Sequence, residues 1–438
     1  MQHNTSVNRR QYNTAGNKTG GTQRLRILFI TLYYPPEMGA PQARISDLAV
    51  RLVRRGHSVT VLTGFPNYPS GIIPPEYRRK WRMYEEKDGV RIVRSWIYPV
   101  ANVRLYARLI NYLSFVFSSI INSFYCGKAD AVYVESPPLF NGINGYIISR
   151  IKRAPYLFHV ADIWPDFAVE LGLIKPGIFL SAAYWLERFI YKKAACVATV
   201  TSGFLRRLRD DKHIPDKKLV LITNGVDVTM FHTGISVPEQ REQLGLTDKF
   251  IAGYIGNIGH WQGVETLIDT AILLKDNSRF HLLIIGDGAR RQAVEEYISA
   301  RKPSNVTLLP AQPRADIPKY LSILDCALVP LRNIECTRQT LPVKMFEAMA
   351  MAKPIIIGGT GDSQKLIEET HTGIAVEPEN PRAYEEAIKT LMADPTLREQ
   401  MGYNGRKLAE SRFNRDLLAD VAESVFLSMA EERKKTHS

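Results

Sequence analysis

Short apolar runs of strand length alternate with helical stretches along almost the whole chain, and no other feature constrains its fold as tightly. The first series is residues 26–32 (RILFITL), 58–63, 131–135, 156–160 and 196–200, predominantly apolar apart from the alternating 58–63. Apolar strands linked through helices belong to parallel sheets covered on both faces. A proline- and glycine-bearing loop at 33–41 and a helix near 43–55 join the first two runs, the opening unit of such a sheet. A second series follows residues 219–222, at 250–255, 281–285, 306–309, 326–329 and 354–357. The expected fold is α/β, with two Rossmann-like doubly wound domains in tandem. Asn224-Gly225-Val226-Asp227 and Gly234 interrupt the pattern and mark the joint. The organisation expected is a disordered tail at 1–24, a first domain at 25–222, a linker at 223–247, a second domain at 248–415, and a helix at 416–438 crossing back to the first domain.

The charge is divided between the halves. Residues 1–222 carry 32 Arg and Lys against 15 Asp and Glu, a net of +17, whereas the remainder carries 25 against 29. Such asymmetry provides a surface for a polyanion or an anionic membrane. The four cysteines, Cys126, Cys196, Cys326 and Cys336, are far apart and lack metal-ligand spacing. Neither a disulfide framework nor a structural zinc site is indicated, and a reducing compartment fits. Residues 105–126 (LYARLINYLSFVFSSIINSFYC) are about long enough to span a bilayer, but Arg108, Asn111, Asn122 and several serines oppose that. Arg104 and Arg108 beside Tyr106, Tyr112, Phe115 and Phe117 suit a helix at a headgroup interface, or a core helix with one such face.

The chemistry concentrates at strand ends. Lys344 and Glu347 lie at the start of a helix just after Pro342, so helix amides and the lysine can take a diphosphate while the glutamate accepts hydrogen bonds from a ribose diol. Gly256-Asn257-Ile258-Gly259 and Gly286-Asp287-Gly288 are glycine turns directly after strands. Glycine there lets the backbone approach a phosphate, although the spacing does not match GxGxxG. In the first half, His159, Asp162 and Asp166 stand at the exit of one strand and Glu135 ends the one before it. Asp162 or His159 can meet a sugar or a reacting hydroxyl, or Asp162 can cap the next helix. The chain has no Asp-x-Asp pair and no HxxxH pattern, so no metal is expected and diphosphate charge falls to Lys344, to arginines such as Arg332 or Arg338, and to helix dipoles.

These residues together resemble the family 4 retaining glycosyltransferases of the two-domain GT-B fold over nearly all of residues 26–414. The most specific matches are YYPPEMGAPQAR with RRGHSVTVLT, NGVD followed by Phe231, the GDG turn, and VKMFEAMAMAKPIII. DIWPD and VESPPL are shared with transferases that add aminosugars or fucose-type sugars to lipid-linked precursors of bacterial O-antigen, capsule or exopolysaccharide. The resemblance implies two domains facing a deep cleft, with the nucleotide sugar on the second and the acceptor on the first. It implies that Glu347 binds ribose, that Lys344 and the amides around Leu341, Pro342 and Val343 bind the diphosphate, and that the Gly39-Ala40 loop meets the donor. Gly256, Asn257, Gly286, Asp287 and Gly288 would line the donor site, and Glu135, His159 and Asp162 the acceptor side. Gln339 stands where the family has a first glutamate, and Asn257 and Gln262 where it has an arginine and a lysine. The catalytic set implied is Asp162, Gln339 and Lys344, with no cofactor. The partners implied are a nucleotide sugar, UDP favoured over GDP, a polyprenyl-diphosphate-linked saccharide and the anionic inner face of the plasma membrane, with no nucleic acid. A nucleotide-sugar epimerase and a non-catalytic membrane scaffold are the rival expectations.

Overall fold

The computed structural model describes residues 23–37, 39–68, 71–100, 105–170, 172 and 174–437. Most of the expected disordered tail therefore lies outside the described residues. The chain divides into two compact units, one running to Thr223 and taking up the chain again from Asp416, the other spanning Asn224–Arg415.

The first unit is built on an eight-stranded sheet of β1 (Arg26–Ile30), β2 (Ser58–Gly64), β3 (Arg82–Lys87), β4 (Val90–Ser95), β5 (Ala131–Ser136), β6 (Tyr156–Val160), β7 (Cys196–Thr199) and β8 (Leu219–Leu221). Its order is β3-β4-β2-β1-β5-β6-β7-β8, parallel throughout except for the antiparallel β3–β4 pair. Because β1 lies between β2 and β5, strand order reverses at β1. The carboxyl ends of β1 and β5 therefore form the crevice in which such sheets place ligands. Six helices matter here: α1 (Ala40–Arg54), α2 (Leu105–Ser123), α3 (Asn141–Lys152), α4 (Asp166–Glu170), α5 (Ile178–Lys193) and α6 (Ser202–Asp210). Helix α1 begins at Ala40 rather than near residue 43, because Pro41 sits in its first turn, where the missing N–H costs nothing.

One face of this sheet is covered by the end of the chain. Within the helix Arg415–His437, Ala419, Ala422, Val425, Phe426 and Met429 join the core formed by Phe29, Ile45, Val61 and Tyr133. Phe426 lies 6.3 Å from the Phe29 ring and 6.4 Å from Tyr133. Polar contacts fix its register: His57 Nε2 is 2.9 Å from Glu423, and Arg55 is 2.7 Å from Asp420.

Helix α2 is packed against its expected polarity. Its inward face is Asn111, Phe115, Ser118, Ser119 and Asn122, whereas Leu109, Ile110, Leu113, Phe117 and Ile121, with Phe124 and Tyr125 just beyond, are exposed. The buried side-chain donors are satisfied by the end of β4 and the chain leaving it. Asn111 donates to the Tyr98 carbonyl at 2.7 Å, Ser118 to the Trp96 carbonyl at 2.5 Å, and Asn122 to Ser95 Oγ at 3.0 Å. The outward face is thus this aliphatic and aromatic stripe, as for a core helix with one interfacial face: Phe117 lies on it as expected, whereas Phe115 is fully buried. Residues 107–126 are long and apolar enough to cross a membrane by length and composition, yet 44% of that segment is buried in the protein.

The second unit has a wholly parallel sheet of β9 (Phe250–Ile255), β10 (Phe280–Ile285), β11 (Val306–Leu309), β12 (Cys326–Pro330), β13 (Ile355–Gly358) and β14 (Gly373–Val376), in the order β11-β10-β9-β12-β13-β14. Strand order reverses at β9, which puts the Gly256 turn at the equivalent crevice. The segment read as a linker contributes Val226, Phe231 and Leu246 to this unit's core. Arg406 ties it down by donating to the carbonyls of Phe231 and Ala350, both at 2.7 Å.

Phe426→Ala removes a fully buried ring from the first unit and is expected to cost about 3–5 kcal/mol. Urea unfolding checks this, and an unchanged midpoint would contradict the packing.

Candidate functional site

The site residues fall into two groups, one in each unit. In the second unit Lys344 is the second residue of the helix Val343–Ala350, whose N-cap is Pro342. Proline leaves the amides of Val343 and Lys344 at the open end of the helix, without intrahelical partners. The lysine side chain turns back to β9, where Nζ donates to Tyr254 Oη at 2.7 Å and lies 3.9 Å from the ring centroid. Tyr254 Oη in turn donates to the Asn257 carbonyl. Gly256 makes room for this arrangement, since a Cβ there would stand 3.1 Å from Lys344 Nζ. Burial pushes the ammonium down to about 7, only partly offset by the Glu347 carboxylate.

The two glycine turns touch. A Cβ on Gly286 would come within 1.9 Å of the Gly256 carbonyl oxygen, so only glycine allows β9 and β10 to exit side by side. The Ile258 amide donates to the Asp287 carbonyl at 2.8 Å, and the Asp287 carboxylate accepts from the Gly288 amide at 2.7 Å. Gln262 accepts from the Gly259 amide at 3.0 Å, which spends its carbonyl on shaping the loop.

Glu347 is buried, and its Oε1 accepts from Arg314 Nη1 at 2.5 Å. Arg314 stacks 4.9 Å from the Phe231 ring centroid. The ribose candidate is therefore already held by a guanidinium through one oxygen. The arginines named as auxiliary cations are engaged elsewhere: Arg338 pairs with Glu335 at 2.8 Å, and Arg332 approaches Glu265, which Arg290 holds at 2.6 Å. Gln339 Oε1 is buried with no hydrogen-bond partner, an acceptor left open beside the helix start.

In the first unit the crevice at the ends of β5 and β6 holds a buried polar cluster. Glu135 is 1% exposed and accepts from Tyr133 Oη at 2.6 Å and from Arg44. His159, equally buried, stacks on Tyr133, and its Nδ1 lies 3.1 Å from Glu135 but out of line for a hydrogen bond. Burial alone would raise the Glu135 carboxyl; Arg44 and His159 outweigh it and hold it at about 2. Asp162, in the loop after β6, is half-buried. Desolvation pushes its carboxyl up to about 6, opposed by Arg44 and reinforced by Glu135. Gly39 is the N-cap of α1, so this helix presents its first amides at the exit of β1 and delivers Arg44 to Glu135.

Asp166, the other carboxylate of the DIWPD run, serves a different purpose. It is bound by Arg207 and Lys212, each at 2.9 Å, and Lys212 also holds Glu187 at 2.9 Å. This network fastens α4, α5 and α6 together. Among the described residues no group of three or more His, Cys, Asp and Glu is placed to hold a metal ion.

Sequence reading missed Arg44, Tyr133, Tyr254 and Arg314. Arg44 falls inside the YYPPEMGAPQAR run, which could have singled it out, whereas no local signal marks Arg314 and the two tyrosines lie inside apolar strands and look like core.

A family model described as glycosyl transferase 4-like domain matches residues 39–225, and one described as glycosyl transferases group 1 matches residues 236–408. Among solved structures, sucrose-phosphate synthase from Thermosynechococcus elongatus is similar at a TM-score of 0.72, with 19% identity over 95% of this chain and 100% of that one. Anabaena HepE in complex with UDP-glucose is similar at 0.66, with 18% identity over 94% and 99%. Two Rossmann-like units of this kind, with these two domain types in this order, define a glycosyltransferase of GT-B architecture. Within that class the two domain matches support a place for the chain among the family 4 glycosyltransferases. It is 26% identical over 382 residues, 85% of this chain and 93% of the relative, to the putative colanic acid biosynthesis glycosyl transferase WcaI of Escherichia coli K12.

Gly256→Ala should displace the Lys344 ammonium and weaken nucleotide-sugar binding by at least about tenfold. Calorimetric titration measures it, and unaltered affinity would show that this contact does not shape the site.

Proposed function

We propose that the chain is a retaining transferase that moves a sugar, in one reading an N-acetylated aminosugar, from a nucleoside diphosphate to a polyprenyl-diphosphate-linked saccharide in bacterial surface polysaccharide synthesis. UDP is favoured over GDP as the carrier. The observation that carries the proposal is Lys344, a largely enclosed ammonium held on Tyr254 and aimed at the Gly256 turn beside open helix amides. A partly buried cation of this kind is best matched by the charge that develops on a leaving diphosphate.

In this mechanism Glu347 takes the ribose diol with the oxygen that Arg314 leaves open, and the amides of Val343 and Lys344 hold the diphosphate. As the glycosidic bond lengthens, negative charge collects on the β-phosphate against Lys344. A β-phosphate oxygen accepts the acceptor proton on the same face, which preserves the anomeric configuration without a strong protein base. Gln339 offers a hydroxyl acceptor in place of a second carboxylate. On the acceptor side, Asp162 at about 6 receives a hydrogen bond from a sugar hydroxyl when ionised. No metal is required, because cation and helix end together meet the diphosphate charge.

The relative in colanic acid biosynthesis and the UDP-glucose complex of HepE support the choice of pathway type and nucleotide. Helix α2, with Leu109, Leu113, Phe117 and Ile121 outward, supports peripheral attachment to the cytoplasmic face of the membrane, where a lipid-linked acceptor resides.

Lys344→Ala should lower kcat/KM for transfer by roughly 10²–10³-fold. Asp162→Asn should lower transfer while leaving UDP affinity intact, and EDTA should leave the wild-type rate unchanged. Transfer assays with a lipid-linked acceptor check all three. Donor conversion without any acceptor would replace this reading with an epimerase, and the absence of nucleotide binding would replace it with a scaffold.

A further inference from the structure

At the carboxyl ends of β2 and β4 the first unit contains a cavity of about 630 Å³ that the proposed chemistry does not use. Its walls include Tyr77, Trp81 and Trp96, and its rim is the consecutive triplet Arg78, Arg79 and Lys80. All three cations are exposed, and among the described residues none is paired with a carboxylate. Arg78 Nε donates to the Ile73 carbonyl at 2.9 Å and Lys80 Nζ to the Glu76 carbonyl at 2.7 Å, so backbone anchors two side chains without neutralising them. Arg79 adopts φ +58, a left-handed conformation unfavourable for a non-glycine residue.

The cavity is continuous with the outward face of α2. Trp81 stacks on Trp96, with centroids 5.6 Å apart and planes at 17°, and meets Phe117 edge-on at 6.2 Å. Arg82 lies 3.4 Å from the centroid of Tyr125 at the far end of the same stripe. Three unneutralised cations thus open directly onto an aromatic and aliphatic surface. Tryptophan and tyrosine of this kind sit at bilayer headgroup depth, and the arginines suit phosphate oxygens.

We infer that this cavity binds the diphosphate head of a polyprenyl-diphosphate carrier, with the prenyl chain leaving along Phe117 and Leu113 into the bilayer. The inference rests on the proposed use of a lipid-linked acceptor and assigns the place where its carrier is held. The sheet supports the assignment: β2 and β5 are separated only by β1, so their exits lie about 10 Å apart. A saccharide attached to a diphosphate at the β2 exit therefore extends along the carboxyl edge toward Glu135 and Asp162. A diphosphate concentrates charge at one point, which matches a three-cation rim better than the dispersed single charges of bulk phospholipid.

The test is flotation of the full chain with neutral phosphatidylcholine vesicles doped either with undecaprenyl diphosphate or, at matched charge, with phosphatidylglycerol. The expected result is a roughly tenfold preference for undecaprenyl diphosphate. A triple variant, Arg78→Gln, Arg79→Gln and Lys80→Gln, should lose this preference while retaining its thermal transition and UDP affinity. Phe117→Ser should weaken binding to both vesicle types. Equal binding of wild type to both vesicles, or a preference that survives in the triple variant, overturns the inference and leaves the transferase reading in place. A wild-type preference accompanied by no transfer from any nucleotide sugar would uphold the site and overturn that reading instead.

Discussion

The ammonium of Lys344 is the group on which the rest of the proposed donor site depends. It is drawn out of water onto a tyrosine, and desolvation leaves it near the point of losing its proton. The Glu347 carboxylate only partly offsets that desolvation, which leaves the ammonium suited to an anion. The surroundings are built to keep it there: Gly256 yields the space, Gly286 brings the neighbouring turn into contact, and Pro342 starts the helix so that its first amides face the same way. Arg332 and Arg338 are engaged by carboxylates, and Asn257 and Gln262 are uncharged, so the proposed role falls to Lys344.

The first unit solves a different electrostatic problem. Arg44, Glu135, His159 and Tyr133 form a nearly water-free cluster, and Glu135 stays ionised there because Arg44 and His159 outweigh the cost of burial. Breaking such a pair leaves an uncompensated buried charge, so the cluster fixes the crevice as firmly as hydrophobic packing does. Asp162 borders it with a much higher affinity for protons, since its desolvation is not fully offset by Arg44. Two carboxylates a few residues from one crevice thus differ in protonation through environment alone.

The fold was largely legible because both sheets consist of apolar strands separated by helices, a pattern visible in any window of the chain. The β3–β4 pair escaped it: RMYEEK and VRIVRS carry alternating charges, as an edge hairpin in contact with water can. Strand β14 escaped as well, being a four-residue edge strand. Helical period groups the residues of α2 into faces but does not say which face is inward, and here the serines and asparagines bind the chain leaving β4. Lys344 and Glu347 could be read from the motif around them, whereas their partners could not. Tyr254 lies 90 residues away inside an apolar strand, and Arg314 lies 33 residues from Glu347.

The central claim is that Lys344 is partly neutral in the free protein and becomes a full cation against the donor diphosphate. Calorimetric titration with UDP at pH 8, in buffers of different ionisation enthalpy, measures the protons taken up on binding. With the ammonium at about 7 in the free protein and raised by the bound anion, the wild type should take up nearly one proton, with affinity falling as pH rises above 7. Lys344→Met should take up none. Absence of uptake by the wild type, or equal uptake by the variant, would contradict the account.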